Sequence, residues 1–171
     1  VNWIQLWAGG PKFAEYNVGA AYNKAEDYGG YYAWGGNVDK GTTYVSGSDP
    51  LSGDNDTAYN LWGSNWRMPT SDELHELLDN CTVAWTDSYN DTDVKGGIFT
   101  GKGAYSSNSI FLPAAGSCMS GTVLLPGGRG TYWSSTPDVK DDAYRLYFNS
   151  SKQYVDNYNR GNGYSVRAVL K

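Results

Sequence analysis

Apolar positions follow two periods along this chain, and each change of period marks an element. Leu74, Leu77, Leu78 and Cys81 fall at i, i+3, i+4 and i+7, which is one apolar stripe on a helix. Thr70 stands where an N-cap belongs and Glu73 follows three places later, the spacing of a capping box. Asp72 and Glu73 also suit the positive end of the helix dipole. Pro69 forces an extended approach at Met68. These signals predict a helix over 70–80. A shorter helix is predicted over Asp56–Leu61, stopped at Gly63. A single turn is predicted over Lys24–Tyr28, ended by Gly29 and Gly30.

Elsewhere the period is two, and the runs are short. Ser109–Leu112 is stopped by Pro113, and Tyr132–Ser135 by Pro137. From Ala143 onward, Tyr144, Leu146 and Phe148 share one face, with Arg145, Tyr147 and Asn149 on the other. In the last run, Val166, Ala168 and Leu170 share a face, with Arg167 and Lys171 opposite. The early run Trp3–Trp7 is expected to pair with it and join the termini. Three stretches, 35–57, 87–109 and 115–131, read as long irregular loops, held down by Trp34, Tyr44, Tyr105 and Phe111. The class is α+β, in one domain over 1–171, with two main helices, short antiparallel strands and paired termini. The scaffold core is expected to comprise Trp66, Leu74, Leu77, Leu78, Phe111, Trp133, Leu146, Phe148 and Val166.

Composition narrows the function. Of 171 residues, 22 are Gly, 15 Tyr and 7 Trp, and 18% are charged. So few charges argue against a coiled coil, and so many aromatics argue against disorder. No apolar run reaches the roughly 18 residues that cross a bilayer, so no membrane span is expected. A net charge of −5 excludes a nucleic-acid partner, which needs a basic face. The start, Val1-Asn2-Trp3-Ile4, has no basic stretch of a signal peptide.

Candidate chemistry is sparse. His75, the only histidine, sits beside the apolar stripe and is expected at the surface, without metal or triad partners. Cys81 and Cys118 admit either one disulfide or two buried thiols. Cys81 lies at a helix C-terminus, the wrong end to activate a thiol. The acidic runs Asp49, Asp54, Asp56 and Asp87, Asp91, Asp93 match no calcium-loop spacing and read as solvated turn carboxylates. No Lys-Ser/Thr follows Gly127-Gly128-Arg129-Gly130, so it forms no phosphate cradle. No cofactor and no catalytic residue is expected.

Segment 136–164 is different. Its few apolar positions, Ala143, Leu146, Phe148 and Val155, are separated by Tyr, Asn, Asp, Ser and Arg. Tyr gives wide contact area at low entropic cost, and Asn and Ser give adaptable hydrogen bonds, the palette of binding loops. A polar antiparallel edge with ordinary turns would use the same residues.

Several blocks carry a resemblance. Tyr16-Asn17-Val18-Gly19-Ala20, Tyr31-Tyr32-Ala33-Trp34-Gly35, Asp56-Thr57-Ala58, Trp62-Gly63-Ser64-Asn65-Trp66-Arg67-Met68-Pro69-Thr70, Phe111-Leu112-Pro113-Ala114-Ala115-Gly116, Tyr132-Trp133-Ser134-Ser135 and Ser165-Val166-Arg167 occur in this order. In these the chain resembles the Fibrobacter succinogenes major paralogous domain, common in gut Bacteroidetes, over about residues 13–170. The resemblance implies a C-type-lectin-like fold of the formylglycine-generating-enzyme branch. More narrowly, the chain is similar to variable proteins of diversity-generating retroelements, which display a mutable C-terminal region, here 132–171. That likeness implies no enzyme activity, but a protein or surface ligand that differs between variants, met at a cell surface or phage particle. It places a ligand-binding face at Asp138, Asp141, Asp142, Arg145, Tyr147, Asn149, Tyr154, Asp156, Tyr158, Asn159, Gly161, Asn162 and Tyr164, with Arg145 and Tyr147 central and outward. Adenine-directed change of Asn codons gives all these residue types, whereas Lys140, Lys152 and Gln153 would be fixed or derive from other codons. A fixed cell-surface adhesion or glycan-binding domain of the same family is the alternative, and a divergent thiol oxidase the remote one. The Glu-Pro-Asn and Gln-Pro-Asp calcium–sugar motifs are absent, and the cysteines are not the close pair of the copper-dependent oxidases.

Overall fold

Both helices form close to where the sequence places them, the shorter one starting a residue after Asp56, which caps it. In the computed structural model, which describes residues 1–171, α1 spans Thr57–Trp62 and α2 spans Ser71–Asn80. Asp56 caps α1 by accepting hydrogen bonds from the backbone N–H groups of Ala58 and Tyr59. Its other oxygen accepts from Met68 N at 2.8 Å, so one carboxylate also anchors the segment leading into α2. At α2 the capping box is complete: Thr70 accepts from Glu73 N, and Glu73 from Thr70 N. Arg67 adds a two-pronged ion pair to Glu73, at 2.7 and 2.9 Å. Leu74 and Leu77 are buried and Leu78 partly so, while His75 is exposed. Lys24–Asp27 closes as a single turn.

Twelve strands make four antiparallel sheets: β1 Trp3–Gln5, β2 Lys12–Ala14, β3 Trp66–Arg67, β4 Cys81–Thr86, β5 Gly96–Gly101, β6 Ser109–Pro113, β7 Ser117–Met119, β8 Thr122–Leu124, β9 Gly130–Pro137, β10 Asp142–Phe148, β11 Gln153–Asn159 and β12 Val169–Leu170. The terminal strands share one sheet, ordered β1-β2-β12-β3. The direct pairing expected of the first and last runs does not occur. The chain turns back at Gly9 and Gly10, and β2 inserts between them, with Trp3 opposite Ala14 and Phe13 opposite Val169. Nor is 164–168 a strand facing solvent with Arg167. Tyr164 and Ser165 make isolated bridges to Tyr32 and Tyr132. Arg167 is buried, donating to Asn17 Oδ1, Ala14 O and Phe111 O at 2.8–3.2 Å. Burial without a carboxylate partner pulls its guanidinium down to about 10.

Two of the three expected loops contain strands. The 87–109 stretch holds β5, the centre of the β4-β5-β6 sheet, and 115–131 holds the β7–β8 hairpin. Glycines hide β5 from pattern reading, yet they are needed. A Cβ at Gly96 would collide with the Leu112 carbonyl and the Phe111 ring.

The core has two main bodies. One joins Leu74, Leu77, Leu146 and Phe148, so α2 packs under the β9-β10-β11 sheet. The other joins Trp34, Trp66, Trp133, Tyr164 and Val166. All nine expected scaffold residues lie in the interior, Leu78 only partly. Cys81 and Cys118 are free thiols in separate clusters, which settles the open alternative. Burial pushes the Cys81 thiol up to about 11.

Candidate functional site

Strands β10 and β11 form a hairpin in continuous register, and the pairing decides which side chains meet. Arg145 opposes Asp156, Tyr147 opposes Tyr154, and Ala143 opposes Tyr158. Cross-strand partners share a face, so these six side chains stand together. Leu146, Val155 and Phe148 take the other face and pack into the core. The alternation from Ala143 onward is therefore as the sequence predicts, with the register against β9 shifting between Ala143 and Arg145.

Arg145 departs from expectation. It is only 6% exposed and does not stand outward at the centre. Its guanidinium donates to Asp156 Oδ1 at 2.9 Å and to the Tyr164 hydroxyl at 3.1 Å. Three rings surround it, with centroids at 4.4 Å (Tyr158), 5.2 Å (Tyr147) and 5.2 Å (Tyr164). Burial works hardest against its charge, but Asp156 together with Tyr164 and Tyr154 outweighs it and holds the guanidinium above its ordinary value. Tyr164 is likewise buried, its ring 4.3 Å from that of Trp133. Removal from water pushes its phenol up to about 12, against the pull of Arg145. Asn162 is also buried, donating to the Tyr164 hydroxyl at 3.4 Å. These three side chains form the floor of the face rather than its display. A long side chain at an outward register position folds back wherever a carboxylate and aromatic rings satisfy it.

Displayed above that floor are Tyr147, Tyr154, Asp156 and Tyr158. The Tyr147 and Tyr154 rings stack with centroids 4.9 Å apart. Tyr158 is 47% exposed, among the most open large side chains of the molecule. Asn149 and Asn159 hold turns. Asn149 Oδ1 accepts from Ser151 N and Lys152 N, and Asn159 Oδ1 from Gly161 N. Asp138, Asp141 and Asp142 are brought together elsewhere, at the β9–β10 turn. There Asp138 accepts from Asn157, whose side chain alternates away from Tyr158. Gly161 lies beside Tyr44, whose nearest ring atom would be 3.8 Å from a Cβ placed there.

The turn at 138–142 depends on a residue that pattern reading passes over. Arg160 is fully buried, with its guanidinium over the Trp34 ring at 4.3 Å. It donates to the carbonyls of Asp142, Val45 and Asp138 at 2.9–3.1 Å. Its setting, Asn-Arg-Gly-Asn-Gly, looks like an ordinary polar turn, so no local signal marks it. No three His, Cys, Asp or Glu side chains converge as metal ligands would.

Comparison with known proteins then places the chain. Residues 51–170 match the Lcl C-terminal domain. The chain belongs to the Lcl C-terminal domain family. That family is C-type-lectin-like and akin to the formylglycine-generating enzymes, in agreement with the fold class read from the sequence blocks. The matched span of this Lcl C-terminal domain runs from just before α1 to the end of β12 and contains the whole β9-β10-β11 sheet. No curated protein and no solved structure matches the chain.

Proposed function

We propose that this Lcl C-terminal domain is a non-enzymatic binding protein whose contact surface is the Tyr147–Tyr154–Tyr158 face of the β10–β11 hairpin. One observation carries the reading. Three tyrosines, Tyr158 exposed and Tyr147 and Tyr154 half-buried, stand together on one face of the hairpin, while Leu146, Phe148 and Val155 on the opposite face pack into the core. Tyrosines in that position add contact area and directed hydroxyls to a partner at little entropic cost. The remaining chemistry supports binding over catalysis: the Cys81 thiol is pushed up to about 11, far from the thiolate a nucleophile needs. The ligand is a protein or surface group met at a cell surface or phage particle, and nucleic acid is not the partner.

In the finer reading, this face is diversified by a retroelement, and the ligand changes from variant to variant. The geometry narrows which positions would vary. Arg145, Asn162 and Tyr164 form the floor, and Asn149 and Asn159 hold turns, roles that a randomised residue would not supply. Those five structural roles favour the second reading, a fixed adhesion or glycan-binding domain. A linked reverse transcriptase, with a near-identical template repeat that differs only at template adenines, the Tyr147, Tyr154 and Tyr158 codons among them, is the outcome expected of diversification. Its absence refutes that reading and leaves the fixed one.

The binding role is tested on protein arrays, glycan arrays and intact bacterial cells. The wild type and a Tyr147→Ala, Tyr154→Ala, Tyr158→Ala triple variant are compared, with His75→Ala as a distant control. The expected result is a probe held by the wild type and by the control but lost by the folded triple variant. A triple variant that keeps every wild-type partner overturns the proposal.

A further inference from the structure

We infer that Arg145 is a positioning residue for this face: an internal cation that fills an aromatic cage and so fixes the displayed tyrosines before any ligand arrives. The inference rests on the binding reading above but is tested without a ligand. Its first support is satisfaction. Arg145 turns the hydrogen bonds it makes inward, to Asp156 and to the Tyr164 hydroxyl, and at 6% exposure it presents little of itself to a partner. The second is enclosure. Its guanidinium is the shared neighbour of Tyr147, Tyr158 and Tyr164, which come from β10, from β11 and from the segment after Gly163. Cation–π attraction strengthens when the cation is desolvated, as it is here.

The third support is the chain of contacts leading outward. Tyr147 passes the restraint on to Tyr154 by stacking, and Lys152 lies 5.8 Å from the far member of that pair. Asp156 stands between Tyr154 and Tyr158 on the same strand face, and its ion pair with Arg145 cancels the charge there. Trp133, against the Tyr164 ring, closes the floor beneath the cage. Tyrosines held this way lose little freedom on binding, and restraint before binding is what raises affinity. A lysine would not serve. An ammonium is a compact point charge and lacks the planar fork that spans Asp156 and Tyr164 together.

The experiment follows the Tyr ring resonances by NMR on protein labelled at tyrosine, with a separate sample reporting arginine Nε–H groups. In the wild type, the Nε–H resonance that Arg145→Ala removes is expected to exchange with water at least tenfold more slowly than a free guanidinium. In Arg145→Ala, the Tyr147, Tyr154 and Tyr158 ring shifts are expected to collapse toward free-tyrosine values. Ethylguanidinium is expected to restore them, ethylammonium is not, and Arg145→Lys is expected to resemble Arg145→Ala. Should Arg145→Ala fail to fold, Asp156→Asn is measured instead, with faster Nε–H exchange and shifted Tyr158 resonances expected. Tyrosine shifts unchanged in the folded variant, or a wild-type Nε–H exchanging at the free rate, overturn the inference. Loss of ring order in Arg145→Ala with no array ligand found for the wild type would refute the binding role and leave the cage standing.

Discussion

Arg160→Ala should be among the most damaging single changes outside the two core bodies. The guanidinium holds three backbone carbonyls, of Asp138, Asp142 and Val45, from a fully buried position. Hydrogen bonds from a charged donor contribute about 1.5–3 kcal/mol each. Truncation lets water into the space left behind, which recovers part of that sum, so the expected loss is about 4–5 kcal/mol. Domains of this kind have about 5–15 kcal/mol in total. At about 2–4 °C per kcal/mol for this chain length, Tm should fall by about 10–20 °C. The loss should also be local before it is global. Hydrogen exchange should rise first at 138–142 and 44–46, the segments that Arg160 ties together. Thermal melts followed by circular dichroism give the first quantity and exchange mass spectrometry the second. A change below about 1 kcal/mol, or exchange rising equally over the whole chain, would show that the carbonyls are satisfied without Arg160.

Three further outcomes follow from the same contacts. Trp133→Ala, at a fully buried ring whose Nε1 donates to Tyr32 O at 2.8 Å, should cost about 3–5 kcal/mol in chemical denaturation; a mild effect would remove Trp133 from the core. Tyr158→Ala should cost no more than about 1 kcal/mol, because the side chain is half open and keeps only its contact with Arg145; a larger loss in urea melts would make Tyr158 a core residue. Burial pushes Glu73 up, but Arg67 and Thr70 outweigh it and hold the carboxyl below its ordinary value. A lowered carboxyl stabilises the fold above its unfolded pKa, and that share is lost as pH falls through the folded value. Glu73→Gln should therefore be less stable than wild type at pH 7, with the gap closing toward pH 3; a gap independent of pH would refute the Arg67–Glu73 assignment.

What the sequence discloses about this fold depends on the range over which each contact acts. The capping box of Thr70 and Glu73 and the Gly63 stop are local, and both helices form near where they predict, whereas Asp56, read as a solvated turn carboxylate, is a buried cap because its second oxygen is taken by distant Met68 N. The β10 alternation is also local, so the division between Tyr147 outside and Leu146 inside is legible. Strand β5 is not, because its glycines are selected by what lies across the sheet, the Leu112 carbonyl and the Phe111 ring. Arginines mislead for the same reason. Arg145, Arg160 and Arg167 occupy positions that pattern reading assigns to solvent or to a turn, yet all three are buried. Their partners, among them Tyr164, Val45 and Asn17, lie 19, 115 and 150 residues away.

Those three arginines also explain how a loop-rich chain presents a rigid surface. Backbone carbonyls in irregular segments, at strand ends and on edge strands lack ladder partners, and leaving them buried and unpaired is costly. A guanidinium with five N–H donors in a fixed fork can serve several such carbonyls at once. Arg167 does so for Ala14 and Phe111, and Arg160 for Val45, Asp138 and Asp142. Arg145 applies the same device to side chains, and its acceptors are a phenol and a carboxylate of the candidate binding face. The gradient has a functional consequence. Arg160 and Arg167 sit deepest with no carboxylate partner, whereas Arg145 sits just beneath the surface with its charge matched by Asp156. A face built over a neutralised cation can exchange its outer tyrosines for other residues without exposing an unpaired charge. Asp156→Ala should therefore damage the fold more than Tyr154→Ala, although both residues stand on the same strand face.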